Sequence, residues 1–493
     1  MENMSWLAVS FEVVLLVGAL AVLLVAVVSG RSRTVWGPIV GFAFALSFVA
    51  GLWQWSAVAD GQGGMFFSAL GVEIVKSPMV VLDGYSAFAA MLLGAVGFFA
   101  FLGSWDLQAR LGKRAAEFSA LMLLAVAGLH MMAATPNLLV IFVGLETASI
   151  SFYILAGFTR KARGSDESVL KYFLLGSLAS ALFLYGVALT FAATGSLSLY
   201  GANSIRDFFV NNILTEPGVL LVGMALMLVG LMFKVSAAPF HQWAPDVYEG
   251  APSGAVGLMA AGVKIAGFAA IGRVFVAGLP SQIDVWGPIF AGIAAVSMIV
   301  GTTMALVQDD LKRLLAYSGV AHAGYILAAL VAGYDGFDAM WFYLATYSFM
   351  VVGAFTVVSV VNGPGSSSTS LSTLKGLASR NTHLAWLMTV IMLGMSGMPL
   401  FAGFVGKVLA FVAAGQADYI WLVVVGTLTT VIGLAFYLRV VSTMFQPVDS
   451  EDLGAVEMSA TSNVTVLVAA GVTLLFGVLP WPLLEVVRDA LPL

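Results

Sequence analysis

The stretch FKVSAAPFHQWAPDVYEGAP, residues 233–252, directly follows an apolar run and decides how the chain is interpreted. Pro239 has no backbone N–H, so it predicts a helix break just after Lys234. A break of this kind leaves a charge and unpaired carbonyl groups at membrane depth, where they are tolerated only against protein or water. Transporters build ion sites in this way. The alternative is an ordinary helix end, with the Lys234 ammonium group reaching the membrane surface.

The composition places the chain in a membrane through its whole length, because 60% of the 493 residues are hydrophobic and only 10% are charged. A net charge of −5 argues against a nucleic-acid partner. The chain has no cysteine, which excludes disulfides, thiolate metal sites and iron–sulfur clusters, and its four scattered histidines offer little for haem or zinc. Redox chemistry is therefore expected on partner proteins.

A membrane-spanning helix needs roughly 20 mostly apolar residues. The sequence has fourteen such runs, which predict an all-α polytopic membrane protein forming a single membrane domain over residues 1–493. The runs cover residues 5–29, 36–58, 79–103, 115–134, 136–158, 168–194, 218–240, 252–276, 285–307, 311–333, 338–361, 382–414, 418–443 and 463–484.

Two of these runs, the seventh and the twelfth, combine an interruption with a lysine. Lys234 precedes the break in the seventh run, and the twelfth contains Gly397, Pro399 and Lys407. Paired broken helices are typical of inverted repeats in transporters. The pattern predicts two inverted five-helix repeats, helices 4–8 over residues 115–276 and helices 9–13 over residues 285–443.

The distribution of lysine and arginine predicts the orientation, because basic loops normally stay in the cytoplasm. Loops after odd-numbered helices carry thirteen basic residues. The opposite side has four, namely Lys76, Arg206, Arg273 and Arg488. Both termini are therefore predicted to face outside.

Five charged residues lie inside apolar runs, where charge is costly and usually functional. They are Glu146, Lys171, Lys234, Lys264 and Lys407. Small residues surround Lys264, so it should point into the bundle, where desolvation makes gain and loss of a proton feasible. Glu146 needs a cation partner, and Lys171 is a candidate. The alternative places Lys171 at the cytoplasmic boundary.

Two histidines are candidates for moving protons between the lysines. The tenth run, LKRLLAYSGVAHAGY over residues 311–325, places His322 in mid-membrane, one turn beyond Ser318. Histidine titrates near neutral pH and can relay protons. A neutral histidine bonded to a serine or a carbonyl group is the alternative. The same two interpretations apply to His241, beside the break in the seventh run.

At these motifs, and at GMPLFAGFVGK over residues 397–407, the chain resembles the antiporter-like membrane subunits of respiratory complex I, most closely the subunit N branch. The resemblance covers essentially the whole chain. It implies a proton-translocating module of NADH:quinone oxidoreductase in a bacterial plasma (inner) membrane, with neighbouring membrane subunits and the lipid bilayer as partners. FMN, iron–sulfur clusters and the quinone site would belong to other subunits, with no cofactor and no redox centre in this chain.

The resemblance also implies roles for individual residues. Glu146, Lys234, Lys264 and Lys407 match the family's charged axis, and Lys171 stands at a position where the family has a lysine. We hypothesise that Glu146 and Lys234 pair and separate as a neighbouring subunit changes state. A proton would then move through Lys264 and His322 toward Lys407 and the outside.

Two alternative functions stay open. A cation/proton antiporter subunit of the Mrp type would use similar broken helices and would show sodium-dependent activity in isolation. A structural scaffold would use its charges only to hold subunits together. In that case, neutralising Lys234 or Lys264 would impair assembly and leave pumping per assembled complex intact.

Overall fold

The computed structural model describes residues 5–28, 32–66, 78–159, 165–211, 218–362, 369–447 and 454–493. Within these ranges the chain is almost wholly helical, and the predicted all-α membrane architecture is confirmed. Several basic residues counted for the orientation lie outside the described ranges: Arg31, Lys76, Arg160, Lys161 and Arg163.

The first half of the chain forms ten α-helices and one pair of strands in the described ranges. They are α1 (Ser10–Val28), α2 (Arg33–Ala59), β1 (Gly64–Phe66), β2 (Val80–Leu82), α3 (Gly84–Gly103), α4 (Trp105–Leu111), α5 (Ala115–Ala133), α6 (Leu138–Ala156), α7 (Ser165–Thr194), α8 (Ile205–Asn211), α9 (Gly218–Lys234) and α10 (Trp243–Gly250). The two strands pair antiparallel, with Met65 opposite Val81.

The second half adds ten helices in the described ranges. They are α11 (Ser253–Ile271), α12 (Ile283–Leu306), α13 (Leu311–Leu330), α14 (Phe337–Val361), α15 (Leu377–Arg380), α16 (Thr382–Ser396), α17 (Ala402–Gln416), α18 (Ile420–Phe445), α19 (Ala460–Val478) and α20 (Trp481–Arg488). In the part of the chain that the structure describes, eleven helical segments are long and apolar enough to cross a membrane. Helices α9, α16 and α17 are shorter and apolar.

Three predicted spans differ from the observed elements. The run 79–103 begins with β2, and its helix starts at Gly84 because the Asp83 side chain caps it by accepting from the Ser86 N–H. The run 218–240 ends as a helix at Lys234. The last run, 463–484, ends at Val478, and the short helix α20 begins just after Pro480.

Both predicted helix breaks are present. Helix α9 ends at Lys234 and α10 begins at Trp243, while α16 ends at Ser396 and α17 begins at Ala402. Residues with positive φ turn the chain at each break: Ser236 at the first, and Gly397 and Leu400 at the second. The inverted relation between residues 115–276 and 285–443 stays a prediction.

Helix α11 forms the centre of the bundle. All its residues are buried, and it packs against α3, α5, α9 and α14. Its many glycines and alanines let neighbouring helices approach closely. Helices α1, α2 and α18 lie at the periphery and expose apolar side chains such as Leu24, Phe42 and Val431. The central position of α11 places Lys264 deep inside the protein.

Candidate proton-transfer site

Lys234, the last residue of α9, is buried and faces α6. Its Nζ donates a hydrogen bond to Ser149 Oγ at 2.6 Å. Glu146 lies one turn before Ser149 on α6, and its Oε1 atom is buried without a hydrogen-bond partner among the described residues. The carboxylate is close enough to act electrostatically on Lys234. The predicted direct pair is therefore absent in this structure, because Ser149 occupies the position of the partner.

The break after Lys234 frees a backbone carbonyl group that Lys264 uses. In a continuous helix the Val235 carbonyl would accept from the N–H of residue 239, but that residue is Pro239, which has none. The Lys264 Nζ donates to this carbonyl oxygen at 2.8 Å. Lys264 is 3% exposed. The proline that interrupts the helix thereby creates the acceptor for the buried ammonium group.

Close packing of α11 on the break requires glycine at position 267. A Cβ atom at Gly267 would lie 2.5 Å from Cγ1 of Val235, closer than side-chain atoms approach. Gly267 lies one turn beyond Lys264 on the same helix. The small residues predicted around Lys264 therefore bring its side chain against the broken segment.

Helix α13 continues the series of polar groups beyond Lys264. A Cβ atom at Gly319 would lie 3.7 Å from Lys264 Cε and 3.3 Å from the Tyr347 hydroxyl oxygen, so the lysine lies against α13 one turn before His322. An added Cβ atom would make an ordinary contact with the lysine and a tight one with the tyrosine. Lys264 and His322 thus face the same buried region between α11 and α13.

His322 is buried and bonded on both sides to tyrosine hydroxyls. Its Nδ1 lies 2.8 Å from the Tyr343 hydroxyl, and its Nε2 lies 3.0 Å from the Tyr437 hydroxyl. Tyr437 also bonds Ser318. A hydroxyl group can donate or accept, so either tautomer of the ring satisfies both bonds. The serine or carbonyl partner of the predicted alternative is not observed, because tyrosine hydroxyls bond both ring nitrogens, and the relay role stays a prediction.

Lys407 completes the series at the second break. Its Nζ donates to the carbonyl oxygen of Ser396, the last residue of α16, at 2.9 Å, and lies 4.5 Å from the centre of the Tyr325 ring. The Tyr325 ring faces Tyr343, with 6.5 Å between centroids. Lys264 and Lys407 therefore bind in the same way, each to a carbonyl group at a broken helix.

Lys171 is not part of this series. Its half-exposed ammonium group bonds Asp246 of α10 at 2.8 Å and Glu167 at 2.7 Å. Arg313 of α13 bonds the other oxygen of Asp246 at 2.6 Å. The prediction that Lys171 partners Glu146 is wrong, and the alternative of a boundary position fits the exposure and these partners. Lys171 helps to hold α10 between α7 and α13.

Asp246 is the centre of this network. Burial raises the pKa of its carboxyl group, but hydrogen bonds from Lys171 and Arg313 lower the pKa more strongly, so the value lies below the usual range. The carboxylate therefore stays charged at neutral pH.

His241, the second predicted relay histidine, is half-buried beside the first break. Its ring lies 6.1 Å from that of Tyr317, and its Nδ1 atom is buried without a hydrogen-bond partner among the described residues. The structure places it beside α13 and outside the series from Lys234 to Lys407.

Several polar groups of the interior were not predicted from the sequence. The tyrosines around His322 come from α13, α14 and α18: Tyr325, Tyr343, Tyr347 and Tyr437. A mid-helix tyrosine in a membrane protein needs a partner for its hydroxyl group, so these positions carried a usable signal. Arg273, counted as a loop residue, is fully buried and makes two hydrogen bonds to the Asp83 carboxylate at 2.8 and 2.9 Å. It therefore carries no information about loop charge.

Comparison with known proteins agrees with this geometry. The family described as NADH:quinone oxidoreductase/Mrp antiporter, TM, matches residues 134–433. NADH-quinone oxidoreductase subunit N 1 of Solibacter usitatus is 37% identical over 477 residues, which cover 96% of this chain and 94% of the relative. The chain belongs to the subunit N family of NADH-quinone oxidoreductases.

Solved structures share the fold over nearly the whole chain. A chain of respiratory complex I from Thermus thermophilus with bound aureothin has a TM-score of 0.79 and 34% identity, covering 96% of this chain and 98% of that chain. A chain of the Mrp complex from Dietzia sp. DQ12-45-1b has a TM-score of 0.85 and 21% identity, covering 99% and 97%. At that identity the Mrp likeness concerns the fold alone.

Proposed function

We propose that the chain is the proton-translocating subunit N of an NADH:quinone oxidoreductase, in which quinone reduction on partner subunits drives protons through the series from Lys234 to Lys407. One observation carries the proposal. Lys264 and Lys407 are both buried, and both donate to a carbonyl group at a broken helix. Ammonium groups at membrane depth are costly, so two of them held alike indicate a functional use of charge.

The first step takes place between α6 and α9. A carboxylate close to an ammonium group favours the protonated lysine, and its withdrawal favours release of the proton. Glu146 is separated from Lys234 by Ser149 in this structure, so a rotation of Glu146 toward the lysine changes the charge balance without moving a helix. A neighbouring subunit that displaces Glu146 would therefore control the proton on Lys234.

The energy required is modest. Moving one charge against a potential of about 100 mV costs about 2.3 kcal/mol. Forming or breaking one close ion pair at an effective dielectric constant of about 20 changes the energy by about 4 kcal/mol. The energy of such a switch is therefore of the size that moving one proton against this potential requires.

The groups between Lys234 and Lys407 differ in whether they can transfer a proton. A carbonyl oxygen only accepts, so Val235 and Ser396 hold the lysines in place and transfer nothing. His322 and the hydroxyls of Tyr343 and Tyr437 both donate and accept. A proton taken up at one ring nitrogen of His322 can leave from the other, which moves charge from the Lys264 side toward Lys407.

The assignment as subunit N also gives the orientation of the chain, the relation between its two halves and its partners. Both termini face outside a bacterial plasma membrane, and residues 115–276 and 285–443 form inverted repeats. The support for the repeats is that each break supplies a carbonyl group to one buried lysine. Neighbouring membrane subunits are the partners. FMN, iron–sulfur clusters and quinone sit on other subunits, consistent with the absence of cysteine in this chain.

A second candidate is a cation/proton antiporter subunit, because the description of the matching family covers Mrp antiporters as well. The two functions differ in their ion requirement. A subunit of the oxidoreductase moves protons only while quinone is reduced, whereas an antiporter exchanges sodium for protons without electron transfer.

Replacement of His322 by glutamine tests the proposal, with His383→Gln as the matched control. His383 is exposed in the first turn of α16 and bonds Asn463 of α19. We expect His322→Gln to lower proton pumping in inverted membrane vesicles about tenfold or more per assembled complex, equivalent to at least about 1.4 kcal/mol. His383→Gln should pump normally. Equal pumping by both variants, or exchange that depends on sodium and not on NADH, would overturn the proposal.

A further inference from the structure

A second buried acid–base pair lies outside the lysine series, between the first helix and α5. Glu12 is in the first turn of α1, and His130 is in the last turn of α5. The His130 Nδ1 atom lies 2.7 Å from Glu12 Oε1, and its Nε2 atom lies 3.2 Å from the carbonyl oxygen of Ser86 at the start of α3. The His130 side chain is fully buried, while that of Glu12 keeps 12% exposure.

These contacts determine how many protons the pair holds. The Ser86 carbonyl oxygen can only accept, so His130 Nε2 carries a hydrogen. The contact between Nδ1 and Glu12 then needs one further proton, carried either by the imidazole as an imidazolium or by the glutamic acid. With no proton between them, a carboxylate would face a nitrogen lone pair. With two, a buried cation would lack its anion. One shared proton is the only arrangement that satisfies all three groups.

Among the described residues, His130 is the one hydrogen-bond partner of the Glu12 side chain. On α2, the Gln54 amide donates to Ser10 and to the Leu7 carbonyl oxygen. The other Glu12 oxygen, Oε2, is buried without a hydrogen-bond partner among the described residues. Phe11 covers the imidazole ring, with 4.3 Å between centroids. The pair is therefore enclosed, and only the exposed edge of Glu12 leads outward.

A chain of hydrogen bonds links the pair to a second set of charges. The Ser86 N–H donates to Asp83 Oδ1, and Asp83 binds Arg273 at the end of the central helix α11. The Tyr85 and Tyr200 rings complete the surroundings of Arg273. Along this chain of bonds, Asp83 and Arg273 are the charged groups that face the pair, and they neutralise one another. The net charge of the cluster therefore depends on the proton that Glu12 and His130 share.

We propose that Glu12 and His130 form a second proton-binding site of this chain, which holds one exchangeable proton and passes its presence or absence to α3 through Ser86. The ligand is a proton, and the exposed edge of Glu12 is its route. When the proton leaves, the repulsion between the carboxylate and Nδ1 pushes the ring away from Glu12. The hydrogen bond from Nε2 to Ser86 at the helix start then changes its length and angle. The site does not depend on the lysine series.

The variant Glu12→Gln removes the exchangeable proton and keeps the contacts. Its side-chain amide donates to Nδ1 at every pH, while Nε2 still donates to Ser86. Ser10→Ala is the matched control, because it removes a hydrogen bond from the same helix without changing any titratable group. Both variants are prepared as the intact complex, and infrared difference spectra are recorded between mildly acidic and alkaline buffer in lipid nanodiscs.

We expect the difference spectrum of Glu12→Gln to lose the bands of one carboxyl or one imidazole group that are present in the natural chain and in Ser10→Ala. Identical difference spectra for Glu12→Gln and the natural chain would overturn the proposal, because the pair would then hold its proton at every pH. If Glu12→Gln fails to assemble, Glu12→Asp gives the answer. It keeps the carboxyl group but lengthens the gap to Nδ1, so its titrating band should shift, and an unshifted band would contradict the shared proton.

Discussion

Gly397→Ala should displace Lys407 without removing it. A Cβ atom at this position would lie 2.8 Å from Cδ, 3.0 Å from Nζ and 3.2 Å from Cε of Lys407, while ordinary contact begins at 3.4 Å. The lysine is flexible and can yield, so the helices need not move. To restore ordinary contact, Cδ would shift by about 0.6 Å and Nζ by about 0.4 Å, which disturbs the hydrogen bond that the ammonium group makes to the Ser396 carbonyl oxygen at 2.9 Å.

The expected size of the effect follows from the bond that is lost. A hydrogen bond from a charged group contributes about 1.5–3 kcal/mol, and about 1.4 kcal/mol corresponds to tenfold in rate. If protons pass through Lys407 in its present position, coupled pumping should fall about tenfold to a hundredfold. The assay is NADH-driven proton uptake by inverted vesicles, divided by the amount of assembled complex.

The backbone strain of the substitution needs its own control. Gly397 has φ +83°, and alanine in that region costs about 1–2 kcal/mol wherever it occurs. Gly195→Ala supplies the control, because Gly195 has φ +71° and nothing lies within 4 Å of its added Cβ. Gly195→Ala should pump like the natural chain. Normal pumping by Gly397→Ala, or an equal loss in both variants, would refute a specific role for the position of Lys407.

Two further changes probe the relay and the α10 network. Tyr437→Phe removes the hydroxyl that bonds His322 Nε2, so pumping should slow by about tenfold. Tyr185→Phe, at a 59% exposed position, is the control and should have no effect on pumping. Equal pumping rates in the two variants would contradict the relay. Asp246→Asn should destabilise the assembled subunit by about 1–3 kcal/mol at neutral pH, measured by thermal dissociation. Because the folded-state pKa of Asp246 is lowered, this loss of stability should be complete above about pH 4 and fade only below it. A loss of stability that persists unchanged in acid would contradict the ionic explanation.

The sequence predicted the helix breaks correctly because their causes are local. Pro239 removes one N–H wherever the chain is placed, and the break after Lys234 follows from it. The burial of Lys264 and Lys407 was predictable for a similar reason, since a charge far from the ends of a long apolar run faces the interior of the bundle. The resemblance to a known family then supplied the functional class.

The partners of these charges were not predictable, since they depend on which helices meet. Nothing near His322 in the sequence indicates that Tyr343 of α14 and Tyr437 of α18 bond its ring. Ser149 lies one turn from Glu146 on α6, yet only the packing of α9 decides that Lys234 bonds the serine. Spacing along one helix shows which residues share a face of that helix, but it does not show which other helix packs against that face.

The buried ion pair between Arg273 and Asp83 was not predicted, because of where Arg273 lies in the sequence. Arg273 lies at the end of an apolar run, where a basic residue normally marks a loop. It is instead neutralised by Asp83, which lies 190 positions away in the sequence. A charge near a helix end is therefore ambiguous until its partner is known.

The most direct test of the account is the Lys234→Ala variant, in membranes where NADH-driven proton pumping, quinone reductase activity and assembled complex are measured in the same samples. Lys113→Ala, at an exposed position before α5, is the control. We expect normal assembly for both variants, with pumping and coupled turnover collapsing only in Lys234→Ala. If both activities per assembled complex stay normal in Lys234→Ala, the lysine is structural and the proposed proton path is contradicted.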